Sequence, residues 1–359
     1  MARPDLTVSV RDALALLAIP RIGIREWHRR TRTAGSATGA MRELADSPHH
    51  STALNDADAI ITRASAIGTQ MIALGGSAYP VALHDLTDCD DASLTPAPPV
   101  LFVLGNIELL AQPTVAIVGT RHATATGLRA AERIARACSD AGALVISGLA
   151  RGIDAAAHTG ALAGTGSTAA VIGTGLDIAY PADHRSLQQR IARDGLLISE
   201  HAPGARATRG SFPERNRLIA ALAHVTIVVE AGHRSGALLT ARAAQILNRS
   251  CAAVPGAFDS AASLGSNEML RDGAYVIASA DDALALLNLA RADDRHAAMP
   301  SNLTDAERAI WNVLGNAPLE LDVVVDRAGW AADACLAAVT TLELKGLVRS
   351  TDAGAIHRT

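Results

Sequence analysis

Lysine is almost absent from this chain of 359 residues, because Lys345 is the only one among 32 basic residues. The positive charge is therefore carried by arginine, whose planar guanidinium suits phosphate oxygens and aromatic faces. The net charge is −4. That balance excludes a uniformly basic coat for nucleic acid, but it does not exclude a local basic groove, because net charge averages over patches.

Cysteine and long apolar runs are also scarce. The sequence has four cysteines: Cys89, Cys138, Cys251 and Cys335. They lie far apart, with no CxxC and no paired histidine spacing, so we expect neither a metal site nor a disulfide framework. No apolar run reaches the roughly 18 residues that span a bilayer, and the N-terminus lacks the pattern of a secretory signal. We therefore expect a cytoplasmic protein with no membrane partner.

Two polar stretches that contain proline, 88–99 and 291–302, divide the chain. We predict a small helical domain over 1–66, a large domain over 67–290 and a small domain over 303–359. The last of these has three helical patterns followed by two short strand patterns, which is the order of a winged helix.

The large domain alternates strand patterns with helical patterns. Continuous apolar runs rich in β-branched residues are typical of strands buried on both faces, and intervening helices indicate βαβ units. The runs are TVAIVGT, ALVISG, STAAVIGTG, LLISE, VTIVVEA, SCAAVPG and AYVIAS. The sequence therefore predicts a Rossmann-like, doubly wound α/β domain with a parallel sheet.

Several of these runs end in small residues that form turns. The turns contain Gly119, Ser147 with Gly148, and Ser235 with Gly236 after Glu230. In open parallel sheets, ligands bind outside the carboxyl ends of the strands, where glycine lets backbone N–H groups approach phosphate oxygens. We therefore predict a phosphate-binding edge. The patterns GxGxxG and GxxxxGK[ST] are absent from the expected places, which disfavours a nicotinamide enzyme and a P-loop ATPase.

Asp154 and His158 are candidate catalytic groups, together with Glu230. Asp154 and His158 stand four residues apart on a predicted helix, so they share one face. That spacing suits acid–base chemistry, and it also suits a hydrogen-bonded pair that holds a helix against a loop. The sequence contains no GxSxG, HExxH or carboxylate cluster. We favour the structural interpretation and expect no catalytic residue.

The stretch SFPERNRLIA combines an aromatic ring with clustered arginines at a helix start. Pro213 favours the first helical turn, Arg215 and Arg217 follow it, and Arg209 lies three residues before Phe212. One interpretation is a salt-bridged helix start. The other is a single-strand site, in which guanidinium groups bind phosphates and the Phe212 ring stacks on an unpaired base. Spacing alone leaves both interpretations open.

Seven motifs, in order over 72–287, carry a resemblance to a known family. They are VAIVGTR, SGLARGIDAAAH, GLDIAYPADH, LLISEHAPG, FPERNRLIAALA, VVEAGHRSGALLTA and AVPG with GSNEMLRDGA. Together they resemble the DNA-processing protein A family (DprA, also called Smf). The N-terminal and C-terminal parts look more loosely like that family's sterile-alpha-motif-like (SAM-like) and winged-helix domains.

The resemblance implies a non-enzymatic protein that binds single-stranded DNA without sequence preference and loads the RecA recombinase onto it during natural transformation. It also implies a homodimer formed through the Rossmann-like domain and no cofactor. The family's DNA-binding positions correspond to Gly119, Arg121, Ser147, Gly148, Arg209, Phe212, Arg215, Asn216 and Arg217. Supporting positions are Asp154, His158, Glu230, Ser235 and Gly236.

Two other functions remain as alternatives. One is a nucleotide or nucleoside-phosphate processing enzyme of the lysine-decarboxylase-like Rossmann group, although that group's PGGxGTxxE string is absent and EAGHRSGALLTA is the nearest analogue. The other is a transcription regulator that acts through the winged helix. Its recognition helix, ADACLAAVTTLEL, carries no Arg or Lys before Lys345. Such a helix lacks the basic side chains that usually contact bases and phosphates in the major groove.

Overall fold

The computed structural model has two compact units, Met1–Leu287 and Asn288–Thr359. The described residues are 9–208, 210–290, 303–314, 319–351 and 355–358. Arg209 and the polar stretch 291–302 lie outside the described residues.

The first unit opens with helices that pack on the sheet of the same unit. They are α1 (Val10–Ala18), α2 (Ile24–Ala34), α3 (Ala37–Glu43) and α4 (His50–Ala66). The Ser9 hydroxyl accepts from the Asp12 amide and caps α1, and Gly35 ends α2 with a left-handed backbone. Leu16 and Trp27 of these helices belong to one hydrophobic core with Phe102 of the sheet.

A nine-stranded sheet forms the centre of this unit among the described residues. Its strands are β1 (Gln70–Ala73), β2 (Val100–Gly105), β3 (Thr114–Val118), β4 (Leu144–Ser147), β5 (Thr168–Ile172), β6 (Leu196–Ser199), β7 (Val225–Val228), β8 (Ser250–Ala253) and β9 (Tyr275–Val276). The order is β1-β2-β6-β5-β4-β3-β7-β8-β9. Strands β3 to β9 run parallel, as predicted. The doubly wound α/β fold class is confirmed.

Strands β1 and β2 add an antiparallel edge that the sequence patterns did not predict. β1 pairs antiparallel with β2, and β2 pairs antiparallel with β6. This edge depends on pairing between segments far apart in the chain: the stretch 88–99 lies between β1 and β2, and β6 lies much further along. A local sequence pattern therefore does not predict it.

Helices cover both faces of the sheet. They are α5 (Asp85–Asp88), α6 (Ala125–Asp140), α7 (Ile153–Ala163), α8 (Arg185–Asp194), α9 (Ser211–Leu222), α10 (Ala237–Ile246), α11 (Leu264–Arg271) and α12 (Ala280–Leu286). Neighbouring strand residues belong to different hydrophobic cores on the two faces of the sheet. Val171 and Ile198 share a core with residues of α9 and α10, whereas Ala170 and Leu197 share one with the N-terminal helices. Burial on both faces explains the continuous apolar runs of the sequence.

The stretch 88–99 is tied to helix α2. The Arg25 guanidinium donates to the carbonyl oxygens of Ala92 (2.7 Å) and Leu94 (2.9 Å). The His28 Nε2 lies 2.8 Å from the carbonyl oxygen of Ala97, and burial lowers the pKa of this histidine. A neutral His28 with a proton on Nε2 therefore donates this bond. The segment therefore contacts the helical part of the chain through these three hydrogen bonds.

The second unit is a winged helix, as predicted. Its elements are α13 (Asp305–Val313), β10 (Leu319–Glu320), α14 (Leu321–Ala328), α15 (Ala332–Leu344), β11 (Val348–Ser350) and β12 (Ala355–Arg358), with strand order β10-β12-β11. Ile310, Val324 and Leu342 form part of its core. The recognition-helix position, α15, exposes Leu336 and Leu344.

Candidate nucleic-acid interface

A cleft of about 680 Å³ lies at the carboxyl edge of the parallel strands. The turn after β3, the start of α9, the start of α10 and the loop after β5 form its walls. Eight predicted residues line it: Gly119, Arg121, Asp154, Phe212, Arg215, Asn216, Ser235 and Gly236. Gly148 lines a smaller cavity of about 60 Å³ that shares Arg121, Phe212 and Arg215 with the cleft. The topology thus brings most of the predicted site residues together.

Arg215 is a buried cation that faces this cleft. Only 4% of the residue is exposed, yet its Nε and Nη1 have no hydrogen-bond partner within the described residues. Burial lowers the pKa of its guanidinium from 12.5 to about 10, while Asp154 raises it and Arg121 lowers it further. Buried charged groups are normally paired. The incompletely paired charge of Arg215 therefore favours an anion at this wall of the cleft.

Gly148 makes room for the Arg215 guanidinium. A Cβ at this position would lie 1.4 Å from Nη1 and 2.3 Å from Cζ of Arg215. No side chain fits there while the guanidinium keeps its place. The glycine of the SGLA motif is thus explained by the close approach of a side chain.

Asp154 lies in the first turn of α7 and forms part of the cleft wall. Its carboxylate accepts a hydrogen bond from the Ala150 amide at 3.3 Å. Burial raises the pKa of Asp154, and the positive charge of Arg215 opposes that rise. An acidic side chain therefore lies close enough to Arg215 for the two charges to interact.

His158 and Ser147 belong to the core under the cleft. The His158 Nδ1 lies 2.8 Å from the Thr168 hydroxyl, which donates to the carbonyl oxygen of Val145. Nδ1 is therefore the donor, and burial lowers the pKa of His158 to about 3. The Ser147 hydroxyl donates to the carbonyl oxygen of Ile117 at 2.6 Å. Asp154 and His158 both lie on α7, as predicted, but they do not pair with each other: Asp154 accepts from the Ala150 amide and His158 contacts Thr168.

Two aromatic rings stand beside Arg121. The Arg121 Cζ lies 5.3 Å from the ring centroid of Phe212, which is within cation–π range. The ring centroid of Tyr180 lies 5.1 Å from that of Phe212, with an interplanar angle of 36°. Tyr180 was missed by the sequence interpretation. The available signal was its place in GLDIAYP, within the loop that follows β5.

The start of α10 is fixed against α9. The Asn216 side-chain amide donates to the carbonyl oxygen of Gly236 at 3.2 Å, and the Ser235 hydroxyl accepts from the Ala237 amide. A helix N-terminus carries partial positive charge and free N–H groups. The α10 start therefore adds to the positive potential of the cleft.

Arg217 and Glu230 have partners elsewhere. The Arg217 Nη2 donates to Glu200 Oε2 at 2.7 Å, and both side chains are at most 6% exposed. The Glu230 Oε2 accepts from the Thr124 amide at 2.8 Å and holds the start of α6, where a Cβ on Gly127 would collide with it. Neither residue lines the cleft. Arg217 faces Glu200, while its Nε and Nη1 have no hydrogen-bond partner within the described residues, and its phosphate contact stays a prediction.

The described ranges contain neither a cluster of metal ligands nor a membrane-spanning helix. There, no group of three or more His, Cys, Asp or Glu side chains is arranged to hold a metal ion. In the same part of the chain, every helix is too short or too polar to cross a bilayer.

Two family models match this chain. The model for DNA recombination-mediator protein A matches residues 70–288, and the model for the DprA winged helix domain matches residues 294–354. The first match covers the whole sheet of the first unit. The second match coincides with the unit whose elements are those of a winged helix.

Curated relatives and solved structures agree with these matches. A putative DNA processing protein DprA of Mycobacterium tuberculosis is 38% identical over 325 residues, covering 88% of this chain and 81% of the relative. DprA of Streptococcus pneumoniae has a similar X-ray structure, with a TM-score of 0.66, 31% identity, and coverage of 78% of this chain and 98% of that one. A Helicobacter pylori DprA structure, described by its single-stranded DNA binding mode, has a TM-score of 0.54, 30% identity, and coverage of 61% and 95%.

Proposed function

The chain belongs to the DNA recombination-mediator protein A family, and from that premise we propose that it binds single-stranded DNA and delivers it to RecA during natural transformation. The observation that carries the proposal is Arg215, a buried and incompletely paired cation that lines the cleft. An exposed arginine and aromatic rings stand beside it. Single-strand binders combine these same parts, a positive groove and stacking surfaces.

Each wall of the cleft has a separate role in this proposal. Arg121 and Arg215 neutralise phosphates, and the start of α10 at Ser235 and Gly236 receives another phosphate oxygen. The ring of Phe212 contributes aromatic surface for a base. If about three phosphates are neutralised, the logarithm of the affinity should fall with the logarithm of salt concentration with a slope of about −2.

The other predicted residues have supporting roles in this proposal. Gly119 and Gly148 leave space for neighbouring side chains, and Asn216 fixes the start of α10. Ser147, His158 and Glu230 support the cleft through hydrogen bonds to the strands and loops behind it. We assign Arg217 to the buried pair with Glu200. Arg209, which lies outside the described residues, stays a predicted phosphate contact.

A binding function fits the cleft better than the enzymatic alternative. His158 is neutral and buried, and the Glu230 Oε2 already accepts from a backbone amide. We therefore assign no catalytic residue and no cofactor. Release of free base from a nucleoside monophosphate by the wild-type chain, lost in Glu230→Gln, would contradict this assignment.

We also propose a homodimer formed through the Rossmann-like domain of this cytoplasmic protein. Strand β9 ends the sheet order, and its Tyr275 and Val276 are both more than half exposed, with Leu264 of α11 exposed as well. An apolar sheet edge of this kind favours pairing with a second copy. Val276→Arg is expected to give a monomer by size exclusion with light scattering, and an unchanged mass would refute this surface.

The predicted division into 1–66, 67–290 and 303–359 is likewise a proposal. We propose that the helical part docks on the sheet through the shared core and the stretch 88–99, and that the winged helix folds separately. Limited proteolysis should therefore cut between the two units before it cuts near residue 66.

Fluorescence anisotropy with a labelled oligo-dT tests the main proposal. The double change Arg121→Ala and Arg215→Ala should weaken binding by at least about tenfold and make the salt slope shallower by roughly 1.4. Arg190→Ala is the matched control, because Arg190 is exposed on α8 and does not line the cleft. Wild-type affinity in the double variant would refute the assignment. RecA delivery is then measured as RecA ATPase on single strands coated by a single-strand binding protein.

A further inference from the structure

Tyr180 is the exposed aromatic residue of the cleft. The chain has only three tyrosines. Tyr79 is buried and donates to the carbonyl oxygen of Pro98, and Tyr275 lies in the edge strand β9. Tyr180 is 48% exposed and lines both the cleft and the smaller cavity beside it. Its ring is therefore presented to whatever occupies the two cavities.

Phe212 offers less free surface than its place in the motif suggests. The Arg121 guanidinium lies over its ring, and the Tyr180 ring packs against it. A base that approaches Phe212 meets both of these side chains. Tyr180, in contrast, is supported by Phe212 and keeps about half of its surface open to solvent.

We infer that Tyr180 supplies the face on which an unpaired base stacks, with Phe212 as the ring that supports it from the protein side. The inference rests on the proposed single-strand binding and adds to it a contact residue. A base on Tyr180 would stand next to Arg121, which is where the phosphate of the same nucleotide is held in the proposed function. A tyrosine ring stacks on any base, so this contact carries no sequence preference.

The alternative role of Tyr180 is to fill space in the loop after β5. Loss of a space-filling ring would disturb the cleft for any ligand, whereas loss of a stacking ring matters only when a base is present. An oligonucleotide of abasic sugar-phosphate units separates the two roles, because it keeps the phosphates and lacks every base. The experiment therefore compares oligo-dT with an abasic strand of the same length.

The variants are Tyr180→Leu and Tyr180→Phe. Leucine keeps much of the apolar volume without a ring, and phenylalanine keeps the ring. The control is Phe258→Ala, since Phe258 is exposed in the loop after β8, four strand positions from β5, or about 19 Å across the sheet. Anisotropy is measured on both strands at one salt concentration, after circular dichroism has shown equal melting temperatures.

Tyr180→Leu should weaken oligo-dT binding roughly five- to 150-fold and leave binding to the abasic strand within about twofold of wild type. Tyr180→Phe and Phe258→Ala should bind both strands like wild type. An equal loss on both strands in Tyr180→Leu, or no loss on either, would overturn the inference while leaving the proposed function intact. Failure of the wild-type chain to bind oligo-dT would instead refute the proposed function.

Discussion

Replacing Gly148 by alanine tests the anion site with a single methyl group. The new Cβ would lie 1.4 Å from Arg215 Nη1, whereas ordinary contacts begin at 3.4 Å. The guanidinium must therefore move by about 2 Å. The backbone of Gly148 does not have a positive φ, so alanine itself causes no backbone strain. The change acts on the position of one buried cation.

The expected loss of affinity is that of one charge-assisted hydrogen bond, about 1.5 to 3 kcal/mol. This corresponds to oligo-dT binding weakened roughly ten- to 150-fold, with a salt slope shallower by about 0.7. Fluorescence anisotropy over a salt series measures both quantities. Because the collision partner is a side chain, the fold should persist and the far-ultraviolet circular dichroism should not change.

A double-mutant cycle makes the test specific. In an Arg215→Ala background the obstacle is absent, so Gly148→Ala should have no further effect and the two losses should not add. Gly23→Ala is the matched control, since a Cβ at Gly23 meets nothing within 4 Å and this glycine does not line the cleft. Additive losses, or wild-type binding by Gly148→Ala, would refute the place given to Arg215.

Two further predictions concern charges near the cleft. Burial raises the pKa of Asp154, so this carboxyl loses its charge before ordinary carboxyls as the pH falls; binding measured from pH 8 to pH 5 should tighten, and Asp154→Asn should reduce that pH dependence. Arg217→Met leaves the buried charge of Glu200 unpaired and should lower stability by about 3 to 5 kcal/mol in denaturant titrations. Oligo-dT affinity of the folded Arg217→Met protein should nevertheless stay at the wild-type value, and a large loss would return Arg217 to the DNA contacts.

The sequence predicted the parallel strands and the winged helix because those patterns are local. It also placed the site at the carboxyl edge, since the turns after buried parallel strands meet there. Residue type alone could not show which of Arg215 and Arg217 lines the cleft and which pairs with Glu200. Two positions on a helix point about 200° apart, so only one of them can face the cleft while the other turns to Glu200. Tyr180 was not predicted because its place in the cleft depends on a ring contact with Phe212, which is distant in the chain.

The same burial that makes Arg215 a binding group also destabilises the free protein. A lowering of its pKa from 12.5 to about 10 corresponds to about 3 kcal/mol against the charged form, a large part of the stability of an ordinary domain. The guanidinium stays charged at neutral pH, because its pKa of about 10 lies well above that range, and a phosphate in the cleft would supply a counter-charge. Binding energy at this position therefore includes relief of that cost, which a surface arginine could not provide. A water-exposed cation in place of Arg215 would hold a strand less tightly for that reason.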